Sequence, residues 1–274
     1  MGENQTEKRD IMQYGMPTLI ELRGLEENMK FCKSLDLDFV ELNMNVPEFQ
    51  TEKLRLEKPK NLMEAYNLDL TMHLPENFYF ADFNPHMRAA AYEVFKDAVD
   101  VAQENRFSLL NMHMHVGTFF TMPDDKVFLQ GAYLDEYLKN VVQFRDLVDQ
   151  TLGQSELNIC IENACDFHHG FINKAVDVLL ESDNIDLTWD TGHNAKGNYK
   201  DQIYLFNNQD RIKHVHLHDF AMGSDHLPLG SGEVSVESVM KKLTDKCESI
   251  VLESKSIEGV QKSLFHLEVL TNRS

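Results

Sequence analysis

Cysteine is scarce in this chain: Cys32, Cys160, Cys165 and Cys247 are the only four, and no two form a CxxC pair. That spacing argues against a disulfide framework or a thiolate zinc site and reads as reduced thiols in a cytosolic protein. No stretch of 18 consecutive apolar residues occurs, so a membrane-spanning helix is not expected. The N-terminal MGENQTEKRD lacks the apolar segment of a secretion signal, and a cytoplasmic location follows as the expectation. Basic residues are also few, 26 Lys+Arg against 45 Asp+Glu, a net charge of −19. Such a surface repels nucleic acid and anionic membranes at long range, and no local basic patch offsets it, so neither is an expected partner. There is no low-complexity tract and no Pro/Gly/Ser-rich linker. The Gly15-Met16-Pro17 turn is not the Gly-rich phosphate loop that a doubly wound nucleotide-binding sheet carries after its first strand.

What is present is alternation. Strand patterns at Ile11–Gly15, Asp38–Asn43, Asp69–His73, Phe107–His115, Leu157–Glu162, Ile185–Asp190, Ile212–His218 and Ile250–Glu253 alternate with amphipathic helical segments. The helices are expected at Leu25–Ser34, Pro59–Asn67, from Pro85 to about Asn105 with Asn84 as cap, Ala132–Leu152, Ile172–Glu181, Asp201–Asn208, Ser235–Lys246 and Ser256–Leu270. Eight strand–helix units in one unbroken chain predict an α/β protein built as a single (β/α)8 TIM barrel over 1–274, with 1–10 a polar extension.

Barrel active sites lie where the strands end, and there this sequence is polar. Glu41, His73, His115, Glu162, Asp190, His216 and Glu253 close seven of the strands, and the following loops add His193 and His226. Unpaired carboxylates gathered on one rim repel each other, and a divalent cation relieves that repulsion. Oxygen and imidazole donors suit Zn, Mn or Co. Glu162, Asp190, His216 and Glu253, from four successive strands, form the strongest metal set. His73, His115, His193 and His226 are candidate substrate-binding residues or additional ligands. Glu41 either orients a neighbour or touches substrate, and Lys255 is the nearest cation. His113, one turn deeper than His115, and His214 and His218, flanking His216, are expected to back the ligands. Trp189 is expected to pack behind the barrel. Gly230–Gly232 offers backbone N–H groups to a phosphate or sugar oxygens.

The stretches Asp190-Thr-Gly-His193, His216-Leu-His-Asp219 and His226-Leu-Pro-Leu-Gly-Ser-Gly-Glu233 resemble the xylose isomerase-like barrel superfamily over roughly Leu68–Glu253. That group contains sugar and sugar-phosphate isomerases and epimerases and also the endonuclease IV type of nuclease. The resemblance implies one divalent ion on Glu162, Asp190, His216 and Glu253, with Glu162 and Glu253 as the acid–base pair and His193 on the substrate. In the nuclease branch the added ligands correspond to His73, His115, His193 and His226. Ser224 stands where that branch has an aspartate two places before the last histidine, which speaks against a third metal.

The expectation is therefore a metal-dependent sugar or sugar-phosphate isomerase or epimerase working through a cis-enediolate, with one Mn, Zn or Co ion. The alternatives are an endonuclease IV-like phosphodiesterase with two or three Zn, and a non-catalytic sugar-binding barrel. By analogy with such barrels, a homo-oligomer is the expected assembly.

Overall fold

Along most strands the residue facing the surrounding helices is apolar and its neighbour, facing inward, is polar. In the computed structural model, which describes residues 12–271, this alternation closes a parallel eight-stranded barrel. Its strands are β1 (Gln13–Pro17), β2 (Phe39–Asn43), β3 (Asp69–His73), β4 (Leu109–His113), β5 (Asn158–Glu162), β6 (Ile185–Asp190), β7 (Ile212–Leu217) and β8 (Ser249–Leu252). Each pairs with its sequence neighbours, and β8 pairs with β1 to close the ring. Val40, Leu70, Met112, Ile161, Val215 and Ile250 are fully buried in the apolar core.

The barrel interior is largely polar, and much of it is hydrogen-bonded. Thr188 donates to Asn111 (2.6 Å), Asn111 to Glu162 (2.5 Å), and the His214 ring meets the Ser249 hydroxyl at 2.6 Å. At the base, Phe39 fills the interior only because residue 15 is glycine: a Cβ there would lie 2.6 Å from the Phe39 ring.

The first strand lies two residues later than the sequence pattern places it. Gln13–Gly15 pair with Ser249–Val251 while Gly15–Pro17 pair with Phe39–Glu41, so contacts on both sides fix the register. Ile11 and the polar extension 1–10 lie outside the described residues. The helix caps are where expected: Asn84 accepts the His86 amide (2.9 Å) ahead of Pro85–Asn105, and Ser235 accepts the Ser238 amide (3.3 Å) ahead of Val236–Lys242. Trp189 packs edge-on against Phe206, outside the barrel.

Two antiparallel hairpins were not foreseen: Phe119–Thr121 with Lys126–Phe128, and Asp219–Ala221 with Ser224–Leu227. The second turns through Met222 and Gly223, both at positive φ (50° and 84°), the two-residue turn that matches strand twist. Among the described residues no helix is long and apolar enough to cross a membrane.

Candidate active site

The C-terminal ends of the strands open into a cleft of about 690 Å3. One wall is apolar, with Pro17, Ile20, Val46 and Pro47. The other carries Glu76, His113, His193, His226, Glu253 and Lys255. Beneath it, Glu162, Asp190 and His216 bring one ligand atom each within 4.8 Å of one another.

His216 is the hub. It is fully buried, and its Nδ1 lies 3.1 Å from Glu162 Oε2, 3.2 Å from Glu253 Oε2 and 3.9 Å from Asp190 Oδ2. Its Nε2 faces Glu41 Oε1 at 3.0 Å. These approaches are close but not in hydrogen-bonding geometry. Both His216 ring nitrogens, His193 Nδ1 and Glu253 Oε2 are buried without a hydrogen-bond partner. Buried polar atoms in folded proteins are generally paired, and the other unpaired ones in this structure do not share this cluster of acids and imidazoles, so four of them gathered here mark a place where something else binds. His73 Nδ1 bonds the Leu74 carbonyl (2.7 Å), and its Nε2 lies 3.3 Å from Glu162 Oε2. A divalent cation fits this donor set: carboxylate and imidazole, buried, and short of positive charge.

Electrostatics point the same way. Burial pushes the Glu162 carboxyl up, but the charges of His113 and His216 overcome it and hold it well below the usual carboxylate range. Glu253 is likewise opposed by burial and held low by Lys255 and His216. Burial disfavours a charged His216, yet Glu162, Glu41 and Glu253 raise it well above the ordinary imidazole range. His193, against the same opposition, is lifted to about 9, chiefly by Asp190. In the absence of a cation, then, protons on imidazoles balance the acids.

Asp190 is fixed from three sides. It accepts the His193 amide (2.6 Å) at the start of the helix Thr191–Lys196, its backbone exchanges hydrogen bonds with the Asn163 side chain, and its carboxylate lies 3.0 Å from His218 Nε2. Because His218 Nδ1 accepts the His226 amide (2.8 Å), the His218 ring proton sits on Nε2 and goes to Asp190. His218 thereby backs Asp190, as the strand alternation suggested. His226 Nε2 comes in from the hairpin to 3.4 Å from Glu253, and Lys255 Nζ to 2.6 Å.

Two expectations meet a different geometry, and of the two roles open to Glu41 only that of orienting a neighbour has the geometry for it. His115 does not join the cluster. β4 ends at His113, opposite Glu162, and it is His113 that contacts Glu162 (3.1 Å) and Glu76 (2.8 Å), while His115 lines a separate cavity. Burial and the charge of His113 push His115 down to about 4. Glu41, only 3% exposed, does not line the cleft; it stands behind His216 and also contacts His214 (3.3 Å). The Gly230–Gly232 turn is no free anion cradle, since the buried Asp219 carboxylate already takes the Gly232 and Val234 amides (2.7 and 2.9 Å). The sequence reading missed Glu76, three residues past His73, and Asn163, next to Glu162.

The sequence matches the family described as xylose isomerase-like TIM barrel over residues 29–268. Among solved structures it is similar to a D-tagatose 3-epimerase-like protein, with 22% identity, 95% of this chain and 97% of that one covered, and a TM-score of 0.77. It is also similar to the 3-keto-D-glucoside 4-epimerase YcjR from E. coli, at 16% identity, 96% and 100% coverage and a TM-score of 0.70. A third similar structure is the IolI protein with a bound zinc atom, at 14% identity, 96% and 99% coverage and a TM-score of 0.72. At these identities the likeness is one of fold. No curated protein sequence matches the chain.

Proposed function

The chain belongs to the xylose isomerase-like TIM-barrel family, and from that premise we propose a divalent-metal-dependent isomerase or epimerase of a small sugar. The observation that carries the reading is the set of buried, unpartnered donor atoms on His216, His193 and Glu253 around the Glu162 carboxylate. Glu162, Asp190, His216 and Glu253 would hold the ion. Bound there, a divalent ion supplies Lewis-acid polarisation of a sugar carbonyl and balances the acids.

Glu162 and Glu253 then act as the acid–base pair. Both reach His216 Nδ1, so they flank the same small volume, and both are held ionised by their surroundings. One carboxylate takes the proton next to the carbonyl, giving an enediolate. The other, having taken up a proton from solvent, delivers it to a different carbon or face, and the first releases its captured proton to solvent, so that no net proton is consumed. Lys255, His193 and His226, at the cleft edge, orient the hydroxyls. Similarity in fold to a D-tagatose 3-epimerase-like protein, a 3-keto-D-glucoside 4-epimerase and an L-ribulose 3-epimerase supports the sugar class. Both lysines lining the cleft are already engaged, Lys196 with Asp225 (2.7 Å) and Lys255 with Glu253 (2.6 Å), which favours an unphosphorylated sugar.

A second reading rests on one further grouping. His73, Glu76 and His113 also converge within 4.8 Å, beside Glu162, which suits a second ion and a phosphodiesterase. The acidity of the cleft weighs against a polyanionic substrate.

The test is elemental analysis followed by exchange of the substrate α-proton with D2O, using D-fructose, D-tagatose and L-ribulose. One ion per chain with metal-dependent exchange is the expected result. Two or three zinc ions with phosphodiester cleavage and no exchange would replace it with the nuclease reading. A protein that takes up no divalent ion at all would refute both.

A further inference from the structure

Beside the cleft lies a second cavity, of about 220 Å3. His115, in its wall, stands edge-on to His113 of the cleft, with ring centroids 5.7 Å apart. Phe78, Phe80, Met114 and Tyr137 form a buried apolar lining, and Tyr79, 42% exposed, tilts against His115 at 4.9 Å where the cavity meets solvent.

Two polar atoms in this apolar wall lack any partner: His115 Nε2 and Gln130 Oε1. Gln130 is only 8% exposed. Its side-chain amide lies against Gly117, where a Cβ would come within 1.9 Å of Nε2; with φ at +69°, position 117 is doubly suited to glycine. The backbone approach therefore fixes the Gln130 side chain, and its oxygen is left with nothing to accept from. Leaving a buried acceptor unpaired is unfavourable, and here two are left unpaired in one cavity.

Unpartnered atoms on two separate segments, beside aromatic faces, match a ligand whose donors are spread around a ring. A single ammonium would draw its acceptors to one point. We propose that this cavity is a second small-molecule site, taking a neutral hydroxylated ring, a sugar or cyclic polyol. Its hydroxyls donate to His115 and Gln130, and its C–H face packs on Tyr79 and Phe80. The site stands whether or not the cleft performs the chemistry proposed for it, because the assignment uses none of the cleft's residues.

The experiment uses methyl α-D-glucopyranoside, a non-reducing sugar that an aldose–ketose isomerase cannot turn over. In metal-loaded protein with labelled histidine, titration is expected to shift the His115 ring signals and leave those of His168 in place. His115→Leu and Gln130→Leu are each expected to raise the Kd about tenfold or more, while Lys255→Met in the cleft leaves it unchanged. The wild-type titration reads the site without any substitution, so a variant that fails to fold does not decide the matter. Unmoved His115 signals up to the solubility limit of the probe would overturn the proposal. So would a Kd that follows Lys255→Met instead of the cavity variants, or preferential binding of tetramethylammonium.

Discussion

Asp219 and Glu253 are both buried carboxylates at the C-terminal end of the barrel, yet they sit in opposite circumstances. Asp219 accepts three backbone amides, from Phe220 (2.9 Å), Gly232 (2.7 Å) and Val234 (2.9 Å). Fixed dipoles meet its charge, and they tie the start of the hairpin to the loop beyond it. Glu253 meets Lys255 and three imidazoles, His216, His226 and His218, while its Oε2 has no hydrogen bond. A carboxylate satisfied by backbone is part of the architecture. One surrounded by groups that themselves lack partners is part of a site, because its environment is complete only when something binds.

The sharpest way to break this contrast is Glu253→Gln. Loss of the acid–base group is expected to lower kcat about 10²–10⁴-fold at saturating metal, while the metal-free protein melts no lower than the parent. Near-parental turnover would show that Glu253 is as structural as Asp219. Asp219→Ala should do the reverse. Three amides, the Val234 one buried and the Phe220 and Gly232 ones partly so, lose their acceptor, and denaturant unfolding is expected to show a loss of about 2–3 kcal/mol; an unchanged midpoint would erase the distinction.

Glu41→Gln probes a carboxylate of intermediate kind, which reaches the site only through His216. Groups that back a metal-binding histidine typically change affinity about 10–100-fold, so competition with a chelator should show weaker metal retention, with the fold intact. A different probe of the same contrast is pH. His193 is raised from 6.5 to about 9, so its proton stabilises the metal-free protein fully below pH 6.5 and that contribution is lost as pH rises through 9. An incoming ion must displace this proton. Metal affinity should therefore climb across that window, by up to about tenfold per pH unit for each proton released, as calorimetry in buffers of different ionisation enthalpy can register. A flat profile would mean that His193 takes no part.

How much of this was legible before the structure follows from which residues obey a simple period. Glu162 and Asp190 close their strands, His216 stands one residue before the end of β7 and Glu253 one residue after the end of β8; all four lie at strand ends that the sequence pattern marks, and they meet in the cluster. His115 misled because the FSLLNMHMH pattern continues two residues past the last paired position, His113 opposite Glu162. Alternation gives the face of a strand but not the point at which pairing stops. Alternation put Glu41 on the inward face and left open whether it orients a neighbour or touches substrate, since depth depends on the stagger of neighbouring strands. The hairpins at Phe119–Phe128 and Asp219–Leu227 carry mostly partly or fully exposed residues and so leave no core-facing pattern to read. The glycine turn at Gly230 looked like an anion cradle because its amides seemed free; Asp219, eleven residues earlier, already holds two in that segment.

The position of Glu253 also has a consequence in time. It directly follows β8, the strand whose pairing with β1 closes the ring, whereas Glu162 and Asp190 end β5 and β6. An ion gripping all of them would tie together four successive strands, β5 to β8, without crossing the seam where β8 meets β1. It would hold the last strand to its predecessors and so steady the edge that β1 must pair with. Because it binds the folded protein and not the unfolded chain, it lengthens the lifetime of the closed form. Metal loading is accordingly expected to slow unfolding, and the loaded protein to outlast the metal-free protein under proteolysis.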